Sequence, residues 1–141
     1  MKGIVLVSLA LALVNFPLRA ADAPSLHGEK PPLSKTTRNV GVEEFDKLRA
    51  EKNTVLLDVR TEREFKSGHI PGAVNLDYTS PDFAKDVAEL DKSKKYLVYC
   101  AGGVRSPKAC TILETNSFPH IVNFASGFKA WQKAGKPVAK N

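Results

Sequence analysis

The chain has 141 residues, 43% of them hydrophobic, with 21 Lys and Arg against 15 Asp and Glu, a formal net charge of +6. That length accommodates one ordinary core, and two cysteines, Cys100 and Cys110, are too few for a disulfide-stapled fold. The lysines are scattered and do not alternate with aromatic residues, so the composition marks no nucleic-acid surface.

From the start of the chain, Met1-Lys2 gives a positive end, and Ile4–Val14 is an 11-residue apolar run. Ala20, Ala21 and Ala23 follow as small residues suited to a cut. This pattern reads as a signal peptide over residues 1–21, too short for a membrane-spanning helix of about 20 apolar residues. It predicts a secreted or periplasmic protein with no stable membrane span after cleavage. Cleavage would remove Lys2 and Arg19 and leave a net charge of +4, a mild attraction for small anions. Residues 22–38 hold Pro24, Pro31 and Pro32 without apolar periodicity and read as a flexible arm. One domain is predicted over 39–137, with a short tail at 138–141.

Val42, Phe45 and Leu48 recur at three-residue spacing, which predicts a short amphipathic helix. Thr54–Val59 is an apolar strand covered on both faces. Thr61–Phe65 starts a brief helix that Gly68-His69-Ile70-Pro71-Gly72 ends, and Ala73–Leu76 is a second strand. Ser80-Pro81 reads as an N-cap with proline at the first helical position, leading into a helix over 82–90. Tyr96–Tyr99 is a third strand, and Ser106-Pro107 repeats the cap signal before a helix to about Thr115. His120–Phe124 is a fourth strand, and Gly127–Lys133 is a last helix carrying Phe128 and Trp131 into the core. Short strands alternating with helices predict a three-layer α/β domain around a central, mainly parallel sheet. Ligands of such sheets gather where strand ends meet helix starts.

Cys100 stands at such a place. It closes the third strand and opens Ala101-Gly102-Gly103-Val104-Arg105-Ser106. Loop N–H groups and the positive end of the next helix converge on an anion there, and the same surroundings favour thiolate over thiol. Cys100 is therefore the candidate nucleophile. Cys110, further along the same helix, reads as a small buried hydrophobe. His27, His69 and His120 lie in unrelated settings and make no metal site.

These residues resemble a single-domain rhodanese, a sulfurtransferase. The resemblance spans about Val40 to Trp131. It rests on Leu57-Asp58-Val59-Arg60 with Glu64-Phe65, on Gly68-His69-Ile70-Pro71-Gly72-Ala73-Val74-Asn75, on the Cys100–Ser106 segment, and on Gly127 with Trp131. It implies that Cys100 takes a sulfane sulfur from thiosulfate, a persulfide or a polysulfide and passes it to cyanide or a thiol. It also implies that N–H groups of Ala101 through Ser106 hold the persulfide, and that no metal or organic cofactor is needed. The partners it implies are small sulfur-containing anions and a thiol, cyanide or protein sulfur acceptor, but no nucleic acid.

Arg105 either contacts an anionic substrate or folds back to an acidic side chain, Asp58 first and Glu64 second. Arg60 braces the neighbouring turn, and His69 holds its own turn by a local hydrogen bond. Two departures stand out: Ala101 replaces the cationic or hydrogen-bonding residue many members carry after the cysteine, and Ser126-Gly127 replaces paired glycines. The first implies modest activity with thiosulfate, a dianion. A low-turnover sulfur carrier or sulfide sensor is the main alternative. A phosphatase or arsenate reductase is disfavoured, because those loops place five residues between Cys and Arg, whereas Ala101–Val104 are four.

Overall fold

A computed structural model describes residues 36–141, and the predicted signal peptide, most of the arm and His27 lie outside the described residues. The elements run β1 (Thr37–Val40), α1 (Val42–Leu48), β2 (Thr54–Asp58), α2 (Glu62–Ser67), β3 (Val74–Asn75), α3 (Phe83–Ala88), β4 (Lys95–Tyr99), α4 (Arg105–Thr115), β5 (Ile121–Phe124) and α5 (Gly127–Lys133). The strands form one sheet in the order β1-β5-β4-β2-β3, and every ladder is parallel.

Strand alternation sorts the core into two layers. Tyr96 and Val98 of β4 face α3 and α4, with Leu57, Val87, Ala109, Cys110, Leu113 and Phe118. Leu97 and Tyr99 face α1 and α5, with Phe45, Leu56, Phe124, Phe128 and Trp131. Phe45 stacks on Phe124 with ring centroids 4.5 Å apart, and the Trp131 indole donates to Pro137 O at 2.7 Å. Leu56 and Leu57 are consecutive and both buried, as a strand covered on both faces requires.

The structure differs from the sequence reading at several boundaries. Thr37 and Arg38, assigned to the arm, belong to β1, an edge strand paired with β5. The Thr37 N–H and hydroxyl both donate to Glu114, at 3.0 and 2.6 Å. The helix expected from Asp82 begins at Phe83, and Ser80 is not its cap; the Ser80 hydroxyl accepts from Asp82 N–H at 3.2 Å instead, holding the preceding turn. Ala139, assigned to the tail, exchanges two backbone hydrogen bonds with His69, at 2.9 and 2.8 Å.

Candidate active site

Cys100 follows the last residue of β4 at the carboxyl end of the sheet and is 1% exposed. The loop after it is shaped from the side by the β5–α5 connection. Phe128 N–H donates to Cys100 O at 2.8 Å, and Lys129 N–H donates to Ala101 O at 3.0 Å. With these carbonyls turned toward α5, the later N–H groups of the loop are free to face the sulfur. Two glycines permit this approach. Gly103 has φ +88, and a Cβ there would lie 2.0 Å from Ala125 O. Gly127 has φ +68, and its Cβ would lie 2.7 Å from the carbonyls of both Cys100 and Ala101.

Gly103 N–H donates to Cys100 Sγ at 3.2 Å, and Ser106 Oγ lies 3.5 Å from the same sulfur. Burial is the largest influence on the Cys100 thiol and opposes ionisation. The Ser106 hydroxyl and the N–H groups of Ser106, Gly103 and Arg105 outweigh it and hold the thiol below its ordinary value. Ser106 is not the helix cap that the Ser-Pro pattern suggested. The helix starts at Arg105 with Val104 in the cap position and no side-chain cap, so Ser106 sits fully buried in the first turn. The first N–H groups of α4, which a capping side chain would otherwise take, are left to the sulfur. Gly102 and Val104 lie on the exposed side of the loop, Val104 at 69% exposure.

Arg105 folds back, and its partner is Glu64 rather than Asp58. Its two terminal nitrogens meet the two Glu64 oxygens at 2.7 and 2.9 Å, a fork-on-fork pair. This pairing holds the Glu64 carboxyl down at about 2, with hydrogen bonds from Thr61 adding to it against the effect of burial. Thr61 and Glu64 form a capping box at the start of α2. The spacing Thr61-x-x-Glu64 is a sequence signal for that box and places Glu64 at the first turn of a helix, a clue to where its carboxylate is held.

Asp58 is taken by Arg60. The pair is buried, with Arg60 Nη2 2.6 Å from Asp58 and 2.7 Å from Gly68 O. The guanidinium lies 4.1 Å from the centroid of the Phe128 ring, so it joins β2, the Gly68 turn and the start of α5 under the loop. His69 lies in the Gly68 turn with Nδ1 2.9 Å from Phe65 O and its ring stacked on Phe65. Cys110 is 2% exposed, and burial, with the charges of Glu114 and Cys100, pushes its thiol up to about 12. An open cleft of about 560 Å³ past Glu62, Phe65, Asn75 and Asp86 takes in none of residues 100–106. Among the described residues no group of three or more His, Cys, Asp or Glu is placed to hold a metal ion.

The backbone donors that sequence reasoning missed are those of Phe128 and Lys129. Nothing in their side chains marks them, because the grip comes from where α5 starts.

The profile of the rhodanese-like domain family matches residues 41–134. The chain is 37% identical over 92 residues to thiosulfate sulfurtransferase 16, chloroplastic, of Arabidopsis thaliana, covering 58% of this chain and 77% of that protein. Other relatives are longer. The chain spans 53% of Protein HIGH ARSENIC CONTENT 1, mitochondrial, of Arabidopsis thaliana, with 35% identity over 56% of this chain. It spans 35% of a tRNA uridine(34) hydroxylase of Bacillus pumilus, with 32% identity over 77% of this chain. Among solved structures, a rhodanese-related protein of Thermoplasma volcanium aligns with a TM-score of 0.66 and 28% identity, over 74% of this chain and 99% of that one.

Proposed function

The chain belongs to the rhodanese-like family of sulfurtransferases, and on that premise we propose that it moves a sulfane sulfur through a persulfide on Cys100 to cyanide or a thiol. The observation that carries this reading is the ring of donors around a single sulfur: Gly103 N–H at 3.2 Å and Ser106 Oγ at 3.5 Å, in a thiol held below its ordinary value.

In the first half-reaction the Cys100 thiolate attacks the outer sulfur of the donor. A new S–S bond forms, the donor's own S–S bond breaks, and its electron pair leaves on sulfite when the donor is thiosulfate. The terminal sulfur of the persulfide then occupies the place where charge develops, facing the N–H groups of Gly103, Arg105 and Ser106. In the second half-reaction the acceptor attacks that sulfur and the Cys100 thiolate is restored. Two half-reactions through a covalent intermediate give ping-pong kinetics. The four residues between Cys100 and Arg105 make a ring suited to one sulfur atom rather than a tetrahedral oxyanion, which argues against phosphatase or arsenate reductase chemistry. Export belongs to the same proposal and rests on the Met1–Ala23 pattern alone.

Intact-mass analysis after incubation with thiosulfate, and separately with polysulfide, tests the reading. A gain of one sulfur, about 32 Da by elementary mass, on the native protein and not on Cys100→Ser is expected, with sulfite released in step when thiosulfate is the donor. A persulfide that forms but turns over only onto a protein acceptor would recast the protein as a carrier. No adduct from either donor would sink the proposal.

A further inference from the structure

The Cys100 loop has an unusual charge balance for a site that meets anions. Residues 101–104 are Ala, Gly, Gly and Val and carry no charge or side-chain donor. Ser106 Oγ is turned to the sulfur and fully buried. The one cation of the segment, Arg105, has both terminal nitrogens on Glu64, and Glu64 is itself fixed by the Thr61 N–H at 3.0 Å and the Thr61 hydroxyl at 2.9 Å. The pair takes two of the five guanidinium N–H groups and compensates the charge, so a second anion meets a cation that is already neutralised. The cations nearest along the chain, Lys108 and Lys129, are exposed, where solvent and salt screen them. The mouth offers backbone N–H groups to one sulfur and a mostly exposed Val104, and residues 101–104 add no side-chain donor for the three oxygens of a sulfonate.

Resting on the sulfurtransferase reading, we infer that Glu64 is the residue that sets donor specificity: by neutralising Arg105 it turns the site from thiosulfate toward organic persulfides. An organic persulfide, R–S–SH, asks only for what the loop provides. The Cys100 thiolate attacks the terminal sulfur and a new S–S bond forms, the donor's own S–S bond breaks, R–S⁻ leaves with the electron pair, and the proton stays on the transferred sulfur. The leaving group carries one charge on a thiolate, and its carbon chain lies against Val104. Thiosulfate must instead expel sulfite, with two charges, beside a guanidinium already neutralised. Glu64 acts through Arg105 and touches neither sulfur, so it is a positioning residue.

The test compares kcat/KM for thiosulfate with that for the persulfide of 2-mercaptoethanol, using one acceptor for both. Glu64→Gln keeps an oxygen for the capping box and removes the charge. The thiosulfate-to-persulfide ratio is expected to rise about tenfold, the scale of one hydrogen bond to a charged group. The gain should lie in KM for thiosulfate rather than in kcat. It should disappear in Glu64→Gln/Arg105→Met. An unchanged ratio in Glu64→Gln overturns the inference, as does a rise that survives the loss of Arg105. Ala101→Lys, with the ion pair intact, supplies a free cation from the loop and should raise the ratio too; no rise there also overturns it. Failure of the sulfurtransferase reading looks different: the native protein then gains no sulfur from either donor.

Discussion

Cys100 and Cys110 belong to the same buried cluster, at 1% and 2% exposure, on the side of the sheet that faces α3 and α4. Burial raises the thiol of each. Cys110 has no donors strong enough to offset it, so its thiol stands near 12 and its sulfur behaves as a packing atom. Cys100 is as inaccessible by side-chain exposure, yet its thiol lies below the ordinary value, because one hydroxyl and three N–H groups meet its sulfur. Depth in the core therefore does not decide which cysteine reacts. Position relative to a helix start does: Cys100 lies before the first turn of α4, where N–H groups have no carbonyl partners, and Cys110 lies inside it, where they do.

The largest effect to test this contrast is exchange of the two sulfurs one at a time. Cys100→Ser should abolish persulfide formation, a loss on the order of a thousandfold or more in turnover. Cys110→Ala should keep the persulfide and cost about 1–2 kcal/mol of stability from the small void it leaves. Intact mass and urea unfolding read the two outcomes, and a sulfur adduct on Cys100→Ser would break the comparison.

Next in size is the loop geometry. Gly103→Ala places a Cβ 2.0 Å from Ala125 O at a backbone φ of +88, so the loop must shift. A displacement of about 1 Å at a reacting atom costs roughly a hundredfold in rate, with about 1–3 kcal/mol of strain added. Sulfite release from thiosulfate, followed beside thermal unfolding, separates the two. Native turnover in this variant would mean that the Gly103 N–H is dispensable.

Ser106→Ala tests the hydroxyl alone. Losing one hydrogen bond to a charged sulfur should slow persulfide formation at pH 7 by roughly tenfold and move the Cys100 thiol upward. The rate of alkylation should follow: in the native protein it is lost as pH falls through the lowered Cys100 value, and in the variant that loss sets in at higher pH. Cys110 should stay unmodified across the whole range in which the protein is folded. An unchanged alkylation profile would assign the lowered thiol to the backbone donors alone.

Much of this contrast is legible in the chain. Strand, glycine-rich loop and helix start announce Cys100, and the spacing that carries Cys110 into α4 announces a core residue. The pairing of the charged groups is less legible. Asp58 and Glu64 are both acidic and both near Arg105 in the fold. Arg60, only two residues from Asp58, reaches it from the same turn, with its backbone N–H also donating to the carboxylate at 2.9 Å, and leaves Arg105 to Glu64. Ser106 misled for a related reason. Ser-Pro fits a cap and first helical residue, but here α4 begins at Arg105, so Ser106 turns inward to the sulfur. The edge strand β1 escaped because Thr37-Arg38-Asn39-Val40 has one buried residue and no apolar alternation; backbone pairing to β5 makes it a strand.

The smallest expected effect concerns the Glu64–Arg105 pair and asks whether it is more than a structural tie. Its folded-state carboxyl lies at about 2, below the ordinary carboxylate value, so the pair's contribution to stability is complete above that ordinary value and is lost as pH falls toward 2. The side chains are 25% and 35% exposed, and screening by water and salt limits the contribution to about 1 kcal/mol or less. Urea midpoints of the native protein and Glu64→Gln should therefore differ by little at pH 7, draw together between pH 4.5 and 2, and lie closer still in high salt. That small cost, set against a larger change in donor preference, is what separates a residue that tunes the loop's charge from one that holds up the fold. A Glu64→Gln protein that loses several kcal/mol at every pH would place Glu64 with the buried Asp58–Arg60 pair beneath the loop, as architecture.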